Sequence, residues 1–371
     1  MGNQQSETLI AKPFTEGRPD TEVVVCASLQ DVSVDLGRHP LLIVDSNVAS
    51  RDDVRALCEK TTRMGGTMLV LTAGEEIKEF EYYTGLREGL EISEYDVLVI
   101  VGGGTVINLG LHLGSELHIM NSKSPVIIPT NTMSFADVAI GSLGLINRGG
   151  VKNKLKTVCD PTQVVVCKDV FDGAPLVART DGMIEVVKHA LFQDPSILNS
   201  SLAAFLRTGN ENEYFALATR AMKLKIELQN AIISGNKSLD HLLTYGHLHA
   251  HILEEYFNYT IKHSIGVYTG LMIDLMLAGH ESAFDLLVHA PENNTFKSEL
   301  GNLLERINLP ELKIIYSHQV KYMNGDRTAF QLVYVPMLGF YGDLRKQVIL
   351  KDFTFEQIAD VYARLKDLFR V

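Results

Sequence analysis

Basic residues are in the minority in this chain of 371 residues, with 34 Lys and Arg against 45 Asp and Glu and a formal net charge of -11. Phosphate backbones are held by clustered Lys and Arg, so this balance excludes nucleic acid as the expected partner, and a small anionic substrate would need its own basic pocket. Also missing is any apolar run of the roughly 18 to 20 uncharged residues that cross a bilayer, and the N-terminal region holds no signal-peptide hydrophobic segment. The expectation is a cytoplasmic protein that does not act at a membrane. The start Met1-Gly2-Asn3-Gln4-Gln5-Ser6 fits the loose myristoylation pattern at Gly2, but that pattern is short and a frayed, solvated terminus is the favoured reading. Cysteine is scarce as well. Cys26, Cys58, Cys159 and Cys167 show no C-x-x-C spacing and have apolar neighbours (VVVCASL, QVVVCKD), which points to buried reduced thiols in strands rather than disulfides or a zinc knuckle. Internal repeats, low-complexity segments and long flexible linkers are absent too.

What is present suits a large core: 46% of the residues are hydrophobic, and the length suggests two domains. The first half alternates β-branched runs with helical stretches: VVVCASL, LLIVDS, a helix from about Arg51, MLVLTAG, a helix from about Glu76, DVLVIVGGG and VIIPT. That pattern predicts an α/β domain with a mostly parallel sheet over residues 1–174. From Pro175 amphipathic patterns such as MIEVVKHALF, RAMKLKIELQNAII and HLHAHILEEYF predict a mainly helical domain over 175–371. Thr354-Phe355-Glu356-Gln357 reads as a capping box opening the last helix.

Two groups of residues carry candidate chemistry. Gly102-Gly103-Gly104 ends the strand DVLVIV and opens a helix, where bare backbone N–H groups and a helix N-terminus favour a pyrophosphate; a tight turn without ligand has the same sequence. Asp45-Ser46-Asn47 lies at a strand carboxyl end, where α/β sheets bind nucleotides, so Asp45 either holds a ribose hydroxyl or caps the next helix. In the second group, Glu185 and Lys188 share one helix face, His247 and His251 share another, and His263 follows. One Glu and two His form a common first shell for Zn²⁺ or a similar ion, although histidine-rich helices also present solvated imidazoles.

Taken in order, DSNV (45–48), GEEIK (74–78), GGGTVIN (102–108), PTNT (129–132), KN (152–153), GMIEVVKHALFQD (182–194) and YGHLHAH (245–251) resemble the dehydroquinate synthase-like sugar phosphate cyclases, from about Leu41 to about Gly342. The resemblance implies NAD and one divalent metal ion, Zn or Co, as cofactors, a phosphorylated sugar as substrate, and a homodimer. It places Glu185, His247 and His263 as metal ligands, and Asp45, Asn47, Glu75, Lys78, Gly102, Gly103, Gly104, Asn108, Thr130, Asn131 and Lys152 on cofactor positions. Lys152, Asn153, Lys188, Lys225 and His251 fall on substrate and catalytic positions. The implied reaction is transient oxidation of the substrate by NAD⁺, β-elimination of phosphate, return of the hydride, ring opening and intramolecular aldol closure to a carbocycle.

Several residues depart from the dehydroquinate synthase pattern. Asn108 replaces an Asp, Asp240 and Thr244 replace the Arg and Asn of R-x-x-L-N-F-G-H, Leu143 replaces the Lys of D-S-S-V-G-G-K, and Thr328 stands where a Lys is expected near Asp326. Arg captures a carboxylate in two parallel hydrogen bonds and Asp repels one, so a neutral sugar such as sedoheptulose 7-phosphate or glucose 6-phosphate is favoured. The competing readings are 3-dehydroquinate synthase proper, a metal-dependent polyol dehydrogenase, and a degenerate paralogue that binds without chemistry. The pair Glu185 and Lys188 argues for the cyclase, and Leu143 argues for the last.

Overall fold

The computed structural model describes residues 6–121, 124–194, 211–289, 294–324, 330–334 and 349–370, so Gly2, Asp326 and Thr328 lie outside it. Strands β1 (Glu7–Ala11), β2 (Thr21–Cys26), β3 (Pro40–Asp45), β4 (Thr67–Leu71), β5 (Val97–Gly102), β6 (Val126–Pro129) and β9 (Gln163–Cys167) make a seven-stranded sheet in the order β1-β2-β9-β6-β5-β3-β4. Only the β1-β2 pair is antiparallel. Every residue of β3, β5 and β6 is buried, as expected of a parallel sheet covered on both faces. The intervening strands β7 (Leu143–Arg148) and β8 (Val151–Val158) form a separate antiparallel hairpin.

The helices of this region are α1 (Asp52–Arg63), α2 (Phe80–Glu88), α3 (Gly104–Asn121), α4 (Thr132–Ala136), α5 (Lys168–Asp172) and α6 (Leu176–Asp181). The helix expected near Glu76 begins instead as a 3-10 turn over Glu75–Lys78, and the regular helix starts at Phe80. The cause is tertiary: Glu79 is extended at φ -66 and ψ 140, where its backbone bridges to Asn147. All four cysteines are free and buried, and burial pushes the Cys159 thiol up to about 12, which leaves it inert at neutral pH. Cys26 and Cys167 face each other across β2 and β9 with their sulfurs 2.8 Å apart.

Downstream come α7 (Met183–Gln193), α8 (Glu211–Ile233), α9 (Asp240–Leu243), α10 (His247–Tyr256), α11 (His263–Ala278), α12 (Glu281–His289), α13 (Asn294–Glu305) and α14 (Leu309–Asn324). A two-stranded hairpin of β10 (Phe330–Tyr334) and β11 (Ile349–Phe353) precedes the last helix, α15 (Phe355–Leu368). The capping box at Thr354 is present, with Gln357 reaching back to the Thr354 N–H. Among the described residues no helix is long and apolar enough to cross a membrane.

By internal contacts the chain forms two compact units, Met1–Glu185 with Tyr214–Ser234, and Val186–Glu213 with Gly235–Val371. Most of α8 therefore belongs with the sheet. Asn230 bonds to the Lys12 N–H and the Ile10 carbonyl, and the Phe215 ring packs edge-on against Phe135 and Phe171. In the second unit α10 and α11 run antiparallel in close contact. His263, Gly266, Gly270 and Asp274 recur at helical spacing, so they line one face of α11. The bare Gly266 backbone lies against Ala250 and that of Gly270 against Gly246.

The β7-β8 hairpin rests on α3 in the same way, since a Cβ on Gly144 would fall 2.3 Å from the His112 backbone nitrogen. No rotamer change relieves a clash with backbone. Gly144→Ala is expected to cost roughly 1–3 kcal/mol, read as a lower denaturant midpoint at unchanged slope.

Candidate active site

The strand order fixes one end of the site. After β3 the chain moves outward to β4, then returns to place β5 on the other side of β3, and continues to β6 in the opposite direction. This reversal opens a crevice beyond the carboxyl ends of β3 and β5, the position where open α/β sheets take nucleotides. Asp45 closes β3 and Gly102 closes β5, and a Cβ on Gly102 would sit 3.3 Å from that of Asp45. Asp45 is buried, and its Oδ1 accepts from both the backbone N–H and the side-chain amide of Asn47, at 2.9 Å each. Gly103 leads into α3, whose first N–H groups have no acceptor within the helix. A Cβ on Gly103 would lie 2.7 Å from the Asn131 amide nitrogen, so Gly103 and Asn131 are neighbours, while the Thr130 N–H donates to the Gly102 carbonyl at 3.1 Å. Asn131 caps α4 reciprocally with Ser134. Asn108, one turn into α3, uses its Oδ1 to accept the Leu145 N–H of β7 at 3.2 Å.

A second group in the same unit gathers Glu75, Lys78, Lys152 and Asn153. The buried Lys78 ammonium donates to Glu75 at 3.0 Å and to the Asn153 side-chain oxygen at 2.7 Å. Asn153 adopts φ 56, and its N–H donates to Asn147, which in turn donates to Glu75 at 3.0 Å. Burial by itself would raise the Glu75 carboxyl, but the Lys78 and Lys152 charges and these hydrogen bonds hold it below the usual carboxylate range. Asn147 was not singled out in the sequence, since it belongs to no motif and only the hairpin brings it here. Lys225, on α8, is buried and donates to the backbone and side-chain oxygens of Asp137. Leu143 opens β7 opposite Val158, directly after Ser142 at φ 50.

The helices carry the rest. Glu185 and Lys188 lie one turn apart on α7, a continuous helix, and both are fully buried. The Lys188 ammonium donates to the Leu243 carbonyl at 2.8 Å. One ligand atom from each of Glu185, His247 and His263 falls within 4.8 Å of the others, the convergence a tetrahedral ion requires. His263 has its Nδ1 2.6 Å from the buried Glu254 carboxylate, and His247 has its Nδ1 3.1 Å from the Tyr245 carbonyl. Both partners accept only, so each Nδ1 carries the proton and each Nε2 keeps a lone pair for a metal. The donor set therefore fits a divalent ion. The His251 ring stands beside both, with centroids 5.8 Å from His247 and 6.4 Å from His263. Neither Glu254 nor Asp274, which bonds to Gly246 ahead of His247, was anticipated from the sequence. The signal for Asp274 was available: it is the sole charged side chain among Asp, Glu, Lys and Arg in the apolar run HSIGVYTGLMIDLMLA.

The family model described as 3-dehydroquinate synthase N-terminal matches residues 68–179, and the one described as 3-dehydroquinate synthase C-terminal matches 182–327. A 3-dehydroquinate synthase of Chlamydia pneumoniae is 26% identical over 283 residues, covering 73% of this chain and 70% of the relative. The 2-epi-5-epi-valiolone synthase of Streptomyces hygroscopicus, solved with NAD⁺ and Zn²⁺ bound, shares the fold at TM-score 0.72 and 17% identity, over 95% of this chain and 98% of that one. A 2-deoxy-scyllo-inosose synthase solved with carbaglucose-6-phosphate, NAD⁺ and Co²⁺ shares it at TM-score 0.71 and 17% identity, over 96% and 99%.

The lowered Glu75 pKa sets a pH dependence. A carboxyl whose folded pKa lies below its unfolded value contributes stability that is fully present above the unfolded pKa and is lost as pH falls through the folded one. Glu75→Gln is thus expected to be less stable than the unaltered chain at neutral pH, with the gap closing under acid. Denaturant midpoints taken across that range check it, and a gap independent of pH would contradict it.

Proposed function

The chain belongs to the dehydroquinate synthase-like family of sugar phosphate cyclases, and we propose that it uses NAD⁺ and one divalent ion, Zn²⁺ or Co²⁺, to convert a phosphorylated sugar lacking a carboxylate into a carbocyclic cyclitol with loss of phosphate. The observation that carries this reading is the convergence of Glu185, His247 and His263 with both imidazoles held by their Nδ1 atoms. The family also supplies the basis for proposing a homodimer.

In this reading Asp45 and Asn47 take the ribose end of the dinucleotide, and Gly102, Gly103 and Gly104 let its pyrophosphate approach the start of α3. Thr130 and Asn131 border the same turn, and Asn108 holds β7 beside it. Lys78 and Lys152 bring two ammonium groups beside Glu75, where an anionic ligand can be met. A divalent ion held by Glu185, His247 and His263 would supply Lewis acidity toward substrate hydroxyls, and a nicotinamide in the crevice would supply reversible hydride transfer, the chemistry that elimination of phosphate requires. Lys188 contributes a buried ammonium one turn from Glu185, with one of its protons held by the Leu243 carbonyl. His251, beside the two ligand imidazoles, is placed to move a proton at a substrate oxygen. Asn153 keeps Lys78 directed at Glu75, and the Lys225 charge is already shared with Asp137.

Asp240 and Thr244 support the choice of a substrate without a carboxylate. Both are exposed in the segment that leads into His247, and they bring a carboxylate to it where binding a substrate carboxylate calls for a guanidinium. The curated relative named 3-dehydroquinate synthase makes that enzyme the competing reading.

Phosphate release from the purified chain with NAD⁺ and Co²⁺ tests the proposal, with sedoheptulose 7-phosphate, glucose 6-phosphate and the seven-carbon heptulosonate phosphate offered separately. Release from a neutral sugar phosphate without accumulation of NADH is expected. Release from the heptulosonate alone would restore 3-dehydroquinate synthase, and NADH accumulation without phosphate would mark a dehydrogenase. Glu185→Ala is expected to lose bound metal and phosphate release together, as measured by metal analysis of the dialysed protein.

A further inference from the structure

The two ligand histidines are held differently. His263 is oriented directly by the Glu254 carboxylate, at 2.6 Å. His247 is oriented by a backbone carbonyl, that of Tyr245 at 3.1 Å, and a carbonyl in a turn is only as fixed as its peptide plane. That plane is shared with the Gly246 N–H, because the Tyr245 carbonyl and the Gly246 nitrogen belong to one trans peptide unit, in which the direction of the N–H determines the direction of the C=O. The Gly246 N–H donates to Asp274 Oδ2 at 2.8 Å.

We infer that Asp274 is a positioning residue for the metal centre: it holds the Tyr245–Gly246 peptide plane, which holds the His247 ring and directs its Nε2. The inference rests on the metal reading above.

The surroundings show that this carboxyl group has a built seat. Asp274 is buried on α11, and its second oxygen lies 3.1 Å from His249 Nε2, close but poorly aligned for a hydrogen bond. The other nitrogen of the fully buried His249 contacts the Tyr316 hydroxyl, and that hydroxyl is 3.3 Å from the Tyr362 hydroxyl. Burial raises the pKa of Tyr316 well above the usual tyrosine value, so the phenol stays neutral and able to donate. Tyr362, Tyr316 and His249 thus form a linked, buried set packed beside the carboxyl, whose hydrogen bond is the one it accepts from the Gly246 N–H. Gly246 itself needs the left-handed conformation, at φ 77, and its carbonyl is closely confined by the same helix, since a Cβ on Gly270 would fall 1.9 Å from it. The same helix face that begins with the ligand His263 therefore ends on the residue that aims the ligand His247.

The test is Zn²⁺ and Co²⁺ binding to the full chain, with the visible spectrum of bound Co²⁺ as a readout of ligand geometry. Asp274→Leu removes the acceptor and is expected to weaken metal binding about 10–100-fold, the range seen when groups behind metal ligands are lost. Asp274→Asn keeps an oxygen for the Gly246 N–H and is expected to retain near-native affinity and spectrum. Gly270→Ala displaces the same turn by crowding and is expected to shift the Co²⁺ spectrum as Asp274→Leu does. Thermal unfolding of each variant in excess chelator separates lost stability from lost positioning. Native affinity and spectrum in Asp274→Leu, or an Asp274→Asn variant as impaired as the Leu variant, would overturn the inference while leaving the metal reading intact. Failure of the unaltered chain to bind either metal would overturn the metal reading and this inference with it.

Discussion

The close approach of the His247–Tyr256 and His263–Ala278 helices is the constraint on which the helical unit depends. Two helices carrying ordinary side chains stand 8–10 Å apart, whereas Gly266 and Gly270 let backbone meet backbone. At that distance a ladder of contacts runs down the pair: Asp274 and Gly270 on Gly246, Gly266 on Ala250, and His263 on Glu254. Each rung except the middle one touches a candidate ligand or the residue next to one. Packing and chemistry are therefore the same contacts, and little in this helix pair can vary for one without disturbing the other.

The sheet unit solves a different problem. Its candidate dinucleotide residues need no helix pair, because the reversal of strand order between β3 and β5 opens the crevice and only Asp45 and three glycines are needed at its rim. The charges sit apart from that rim, on the 3-10 turn and the β7-β8 hairpin. Glu75, Lys78, Asn147 and Asn153 make a polar network in which each side chain has a partner and which Asn147 extends to Glu79, and two of the four come from a hairpin with two positive-φ glycines at its turn, Gly149 and Gly150. The left-handed Asn153 is tolerable because Asn147 takes its N–H and Lys78 takes its side-chain oxygen.

Much of this was legible in the sequence. Runs such as LLIVD and VLVIVG are the fully buried strands their pattern predicts, and Glu185, His247 and His263, which only the family resemblance singled out as ligands, lie together in the structure. The 3-10 turn at Glu75 was not legible, because a backbone bridge from Glu79 to Asn147 overrides the local helical preference. Nor were the residues that act through a partner. Asn147 meets Glu75 and Asp274 meets Gly246 from well along the chain, Glu254 meets His263 across the connection between two helices, and pairings set by tertiary packing leave no periodic trace. The shift of composition after Pro175 marks where strands give way to helices, but the contacts of α8 return to the sheet unit regardless.

That return makes the first unit discontinuous, and it has a consequence for synthesis. Lys225 on Asp137, Asn230 on Lys12 and Phe215 on Phe135 all join the start of the chain to a helix made much later. A chain growing on the ribosome can form the strands of the sheet early, but cannot complete their unit until Ser234 has emerged, after the whole of Val186–Glu213. Asp137 must wait until then for the Lys225 ammonium, so the nascent sheet is a partly assembled body with an open face, and vectorial synthesis passes through it before the second unit has its central helices.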